Sequence, residues 1–136
     1  MISAADEDTA IAVAVVPGQD HDAPPLETML DQALERVPDV QQIVGDKGFD
    51  GAAQRQACAD RGATPVIPYR SNRKARKRLN KKSYAQRNMV ERLLGKAKEF
   101  RRVATRYEKL KEVFLGLIHL TLGFIRLRRI ANVNTA

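Results

Sequence analysis

Thiol and indole are almost missing from this sequence: its 136 residues hold one cysteine and no tryptophan. A single cysteine excludes an intrachain disulfide framework, and Cys58 alone cannot build a zinc site. Histidine is nearly as scarce, with only His21 and His119. His21 lies in a loop-like Asp20-His21-Asp22 and has no second histidine at helical spacing, so a metal site is not expected there. No charged-then-apolar segment precedes a cleavage site at the N-terminus, which argues against export. The longest apolar stretch, Val113 to Ile125, is broken by Gly116, His119, Thr121 and Gly123. It also falls short of the ~20 residues a bilayer demands. These absences leave a soluble, cytoplasmic protein with no membrane partner as the expectation.

What is present is a core and a strongly uneven charge. Hydrophobic residues form 43% of the chain, enough to fold, and the length suits one domain better than two. The formal net charge is +8. From Met1 to Pro68 the net charge is −8, and from Tyr69 to Lys111 it is +14. A basic block this dense attracts polyanions, because each phosphate it neutralises releases condensed counterions. Arg73, Lys74, Arg76, Lys77 and Arg78 form its densest part and suit phosphate contact without base preference.

Hydropathy periodicity gives the order of elements. Ile2–Ala5 and Thr9–Val16 read as two strands joined by the acidic turn Asp6-Glu7-Asp8, with the apolar run of the second expected of a strand covered on both faces. Leu26, Met29, Leu30, Ala33, Leu34 and Val37 have helical spacing, and Pro38 stops that helix. Gln42–Asp46 reads as a short buried strand ending on a carboxylate. Asp50 is placed to cap a helix from about Gly51 to Arg61, which Gly62 closes, and Thr64–Pro68 reads as another strand. Arg70–Lys82 has no apolar periodicity and reads as a mobile basic loop. Helices are expected from Tyr84 to about Arg106 and from about Leu110 to Ile130, the second apolar on most faces and so set against a sheet or a partner. Strands alternating with helices through short connections indicate an α/β layer fold.

Two acids stand out by position. Asp46 sits at the carboxyl end of a strand, the edge where open α/β sheets bind ligands. Glu91 is the sole acid between Tyr69 and Lys98. On a helix, positions four and seven apart share a face, so Tyr84, Arg87, Glu91 and Lys98 form one stripe. A salt-bridge ladder would need a cation four residues after Glu91, and that position holds Gly95, which leaves room for a ligand. Phosphoryl transfer on DNA commonly uses two divalent metals roughly 3.5–4 Å apart, held by carboxylates. Mg²⁺ keeps several waters and takes only one or two carboxylates from a protein site. Asp46 and Glu91 have the chemistry to supply part of such a cage.

At these residues the sequence resembles a known family. Tyr84, Arg87, Glu91 and Lys98 match the Y-x2-R-x3-E-x6-K signature of bacterial insertion-sequence DDE transposases. The flanking blocks agree: Pro17–Ala23, Asp46-Lys47-Gly48-Phe49-Asp50, Val66–Arg73 and Phe100–Lys109. The resemblance covers essentially the whole chain. It implies a ribonuclease-H-like mixed sheet flanked by helices and metal-dependent cutting and joining of transposon-end DNA, with Mg²⁺, or Mn²⁺ in its place, as cofactor. It assigns Asp46 and Glu91 as second and third catalytic acids and metal ligands. Tyr84, Arg87 and Lys98 become contacts to the transposon end. A bacterial cytoplasmic, nucleoid-associated protein that works as a homo-oligomer is also implied.

One departure shapes the expectation. In the family the first catalytic Asp lies on a strand well upstream of the Pro-Gly-Gln block, and here Asp6 and Asp8 read as turn formers instead. The chain therefore resembles a catalytic domain truncated at its N-terminus, lacking the first strand. Residues 1–69 would be its strand and helix layer, 70–83 a basic loop and 84–136 its C-terminal helices. The missing N-terminal portion, from an upstream reading frame, becomes a partner, and the chain alone is expected to be inactive. Two other readings stay open: a non-catalytic basic DNA-binding module or transposase remnant, and a structural protein with a basic surface.

Overall fold

Alternation of small and branched apolar residues on either side of an acidic turn builds the first element pair. In the computed structural model, which describes residues 1–15, 23–71, 78–106 and 108–134, strands β1 (Ile2–Asp6) and β2 (Thr9–Val13) pair antiparallel. Asp6 Oδ1 accepts the Asp8 amide at 2.8 Å, the Asx geometry that closes the turn. Asp6 therefore acts as the turn former its position suggests. The second strand stops at Val13, short of the expected Val16.

The residues fall into two compact units, Met1–Val16 with Met89–Ala136, and Pro17–Asn88. In the first unit the hairpin packs with helices α4 (Arg87–Lys98), α5 (Arg101–Ala104) and α6 (Lys111–Asn134). Leu93 and Ala97 of α4 meet Ile118, Leu122 and Ile125 of α6, with Ile2, Ala4, Ala10 and Val13 of the hairpin packed against them. Each of the buried leucines and isoleucines contributes ~1.5–3 kcal/mol by leaving water. Phe100 packs against this core and meets Phe124 edge-to-face, its ring centroid 5.8 Å away. Its aromatic face therefore serves packing.

The acidic turn also clamps the helices. Glu7 pairs with Arg92 and Asp8 with Lys96, both on α4, and Arg129 of α6 reaches Asp6 at 3.0 Å. Burial pushes the Asp6 carboxyl up, but the Asp8 amide and then Arg129 and Arg126 outweigh it and hold the group below its ordinary value. The sign follows: a depressed folded-state value makes Asp6 stabilising above about pH 4, and that contribution disappears as pH falls further. An acid titration of wild type and Asp6→Asn by circular dichroism should show the variant with a shallower loss of stability below pH about 4. Equal slopes would exclude Asp6 as a contributor.

In the second unit, α1 (Ala23–Arg36) lies against α2 (Ala52–Asp60) through Leu26, Leu30, Ala57 and Cys58, with Ile43 and Phe49 beside them. Burial pushes the Cys58 thiol up. α1 begins earlier than Leu26 because prolines at a first turn cost no intrahelical hydrogen bond. Strands β3 (Gln42–Val44) and β4 (Thr64–Val66) are parallel, with α2 as their crossover. Gly62 has φ +74°, the left-handed conformation that closes α2. Arg61 then ties α2 to α1 through Asp31 at 2.7 Å.

The architecture is mixed α/β. Its described strands form two separate two-stranded ladders. The expected helix from Tyr84 to Arg106 is three: α3 (Lys81–Ala85), α4 and α5. The breaks fall at Gln86 and at Glu99–Phe100, where Phe100 turns inward to the core. Residues 72–77 of the basic loop lie outside the described residues, as does His21, and the expected loop ends early because Lys81, Lys82 and Ser83 belong to α3. No described helix is long and apolar enough to cross a membrane.

Candidate active site

Asp46 follows β3 by two residues and its side chain is exposed. Its Oδ1 accepts the Gly48 amide at 2.7 Å and so starts the 3-10 turn Lys47–Phe49. That bond fixes the carboxylate's direction and leaves Oδ2 without a hydrogen bond among the described residues. A Cβ on Gly48 would lie 2.8 Å from Asp46 Oδ1, so the carboxylate would have to swing aside. Gly48→Ala is therefore expected to displace the carboxylate, and if Asp46 ligates a divalent metal the change should lower metal affinity roughly 10–100-fold, the size of a lost supporting contact. Unchanged affinity would show that Asp46 is held by something else.

Asp50 does not cap α2, contrary to the sequence expectation. Gly51 takes the N-cap position without a side-chain bond. The Asp50 side chain is instead fully buried and accepts Arg55 Nε at 2.8 Å and the Arg70 amide at 2.6 Å. Arg55 also donates to the Ile67 carbonyl at 2.6 Å and stacks over Tyr69 at 4.0 Å. Arg70 returns its guanidinium to the carbonyls of Lys47, at 3.2 Å, and Gly48, at 2.7 Å. The turn that carries Asp46 is thus held from beneath by Asp50 and two arginines. Sequence reading missed Arg55 and Arg70 in this role; a lone Asp five residues before an Arg was the available signal.

Glu91 lies mid-way along α4. Leu93 is 0% exposed and Ala97 is buried on the same side, and this fixes the rotation of the helix about its axis. Glu91 and Lys98 consequently face solvent. Nothing lies within 4 Å of where a Cβ would stand on Gly95, so the surface beyond Glu91 is open. Gln86, between α3 and α4, keeps right-handed helical dihedrals. There the Arg87 guanidinium carbon stands 5.8 Å from the centre of the half-buried Tyr84 ring, within cation–π reach. Neither α3 nor α4 has an acid in its first turn, and Lys81 and Arg87 open them. A cation at the start of a helix opposes the macrodipole.

The sequence-derived residues therefore divide between the units. Asp46, Arg78, Tyr84 and Arg87 belong to one, and Glu91 and Lys98 to the other. Arg78 is exposed; Arg73, Lys74, Arg76 and Lys77 lie outside the described residues. No group of three or more His, Cys, Asp or Glu side chains gathers as a metal site among the described residues. The donor types nevertheless suit a hard divalent cation: exposed carboxylates, one with an oxygen in reserve.

Comparison with known proteins follows the same residues. Residues 43–128 match the family described as Transposase DDE domain, a span that holds Asp46, Tyr84, Arg87, Glu91 and Lys98. This chain belongs to that family. As a DDE transposase domain it is similar to a Brucella ovis protein assigned as transposase for insertion sequence element IS6501, at 27% identity over 119 residues. That alignment covers 87% of this chain and 88% of the Brucella protein. No solved structure matches the chain. The transposase is thus of the bacterial insertion-sequence DDE class, an enzyme family that acts on DNA.

Proposed function

We propose that this chain supplies the second and third catalytic acids, Asp46 and Glu91, of a transposase that cuts and joins transposon-end DNA. The observation that carries the reading is the Asp46 turn: a carboxylate at a strand end, aimed by the Gly48 amide and braced through Arg70. Such bracing fixes a ligand within the narrow tolerance that phosphoryl transfer requires. Asp46 and Glu91 would together hold Mg²⁺, with Mn²⁺ as substitute, inside a ribonuclease-H-like fold. When bound, the metal supplies activation of the attacking oxygen and charge stabilisation at the leaving oxygen.

The chain's other residues bind and orient DNA. Arg87, stacked against Tyr84, and Lys98 take phosphates of the transposon end. Arg73, Lys74, Arg76, Lys77 and Arg78 add sequence-independent attraction, and neutralising them should lower the salt slope of binding by about one per lost contact. The reading treats residues 1–136 as one partial catalytic domain. The first acid then comes from polypeptide upstream or from a partner chain.

The deciding experiment joins the chain to the preceding reading frame and assays nicking of transposon ends with Mg²⁺ or Mn²⁺. Metal-dependent nicking is expected. Salt-sensitive DNA binding without nicking in any metal would leave the basic, non-catalytic module, which the +14 segment independently favours.

A further inference from the structure

The turn between β1 and β2 carries more negative charge than a turn needs. Asp6 alone closes it, by accepting the Asp8 amide. The carboxylates of Glu7 and Asp8 go to α4 instead: Glu7 Oε2 meets Arg92 Nη1 at 2.7 Å, and Asp8 meets the Lys96 ammonium. Arg129 of α6 stands 3.0 Å from Asp6 and 3.5 Å from Asp8. Three consecutive acids thus occupy three cations drawn from two helices. The Arg92 and Glu7 side chains are 60% and 38% exposed, and pairs in that setting stabilise a fold little. Their larger effect is on what the surface offers, because a cation beside a carboxylate attracts a phosphate far less than an open one. The acids also divide α4 into two flanks. Counting about 100° per residue from the buried Leu93, Lys96 and Arg92 lie roughly 60° and 100° round one way, and Lys98 and Glu91 roughly 140° and 160° round the other. The acidic turn engages the first flank.

We propose that this turn holds the place of DNA phosphates: Glu7 and Asp8 mask Arg92, Lys96 and Arg129, and so confine nucleic acid to the flank of α4 that carries Glu91 and Lys98. The proposal rests on the DNA contact assigned to Lys98 and is independent of metal-dependent cutting. The segment from Tyr69 to Lys111 has a net charge of +14, so a duplex is drawn to α4 from either side. Phosphate contacts set the register of a duplex and carry no sequence information, so binding along the Arg92 flank would compete with binding beside Glu91. A duplex that reached Arg92 would have to displace Glu7 and would then lie against the displaced carboxylate. Such a repulsive element selects one pose by penalising the other.

Binding of a labelled random-sequence duplex to the full chain across a salt series tests this. Glu7→Gln, at an exposed position, should leave circular dichroism unchanged, raise affinity severalfold and steepen the salt slope by about one. Glu7→Gln with Asp8→Asn should steepen it by about two. Arg92→Gln in the wild-type chain should leave affinity and slope as they were, whereas in the Glu7→Gln chain it should cancel the gain. If the acids act only through net charge, Arg92→Gln will lower affinity equally in both backgrounds. If they act only as a clamp, Glu7→Gln will lower the thermal midpoint and leave the slope alone. Either result overturns the proposal, as does failure of both wild type and Glu7→Gln to bind DNA. Masking that behaves as expected in a chain that never nicks would count against the catalytic reading alone.

Discussion

Glu91→Gln, made in the chain joined to its upstream reading frame, is expected to lower metal-dependent nicking of transposon ends by at least ~10²-fold, because loss of even an outer supporting contact to a metal ligand costs 10–100-fold. Binding to the same DNA should stay within severalfold of wild type. The two effects separate because Glu91 carries negative charge in the most basic part of the chain. If its role were only to balance neighbouring cations, neutralising it would strengthen DNA binding and leave any nicking intact. If its role is to hold a divalent cation, neutralising it removes a ligand that no nearby acid replaces: between Tyr69 and Lys98 there is none. The helix should survive the change, since Glu91 faces solvent and Leu93 and Ala97 make the packing contacts. Quantitative gel shift and nicking on the same labelled end decide it. Equal loss of both activities would move Glu91 from the catalytic set to the binding surface.

The sequence was most legible where one local rule acts alone. The hairpin, the parallel β3–α2–β4 unit and Gly62 at the end of α2 follow from alternation, crossover grammar and the left-handed closing residue. Of the expected stripe, Arg87, Glu91 and Lys98 lie on α4, while Tyr84 lies on α3, before the break at Gln86. Legibility failed where tertiary packing overrode local preference. Gly51, with no side chain to offer, caps α2, while Asp50 turns inward to two arginines from sequence positions 5 and 20 residues away. The break at Phe100 likewise reflects packing onto the α4–α6 core, and no propensity in Glu99-Phe100 announces it. The apolar excess of α6 was visible too; which face packs became clear only once Ile118, Leu122 and Ile125 were seen in the core.

Asp50→Ala should be the most destabilising single change in the second unit, at about 3 kcal/mol, the lower end of the cost of leaving one partner of a buried pair uncompensated. The Asp50 side chain is completely shielded and that of Arg55 is 15% exposed, so solvent compensates neither well. Removing the carboxylate strands the Arg55 Nε–H and the Arg70 amide together, and leaves Arg55 with the Ile67 carbonyl and the Tyr69 ring. Urea unfolding monitored by circular dichroism would show it as a lower midpoint at unchanged slope. Asp50→Asn keeps the shape and one acceptor and should lose less. Replacing both members of the pair, Asp50→Ala with Arg55→Met, should regain part of the loss because no buried charge is then left alone. The site responds too. Arg70, released at its amide, no longer braces the Lys47 and Gly48 carbonyls, so the Asp46 turn loosens and divalent-metal affinity should fall with stability. A loss below about 1 kcal/mol would place Asp50 among ordinary surface ion pairs and remove it as the support of Asp46.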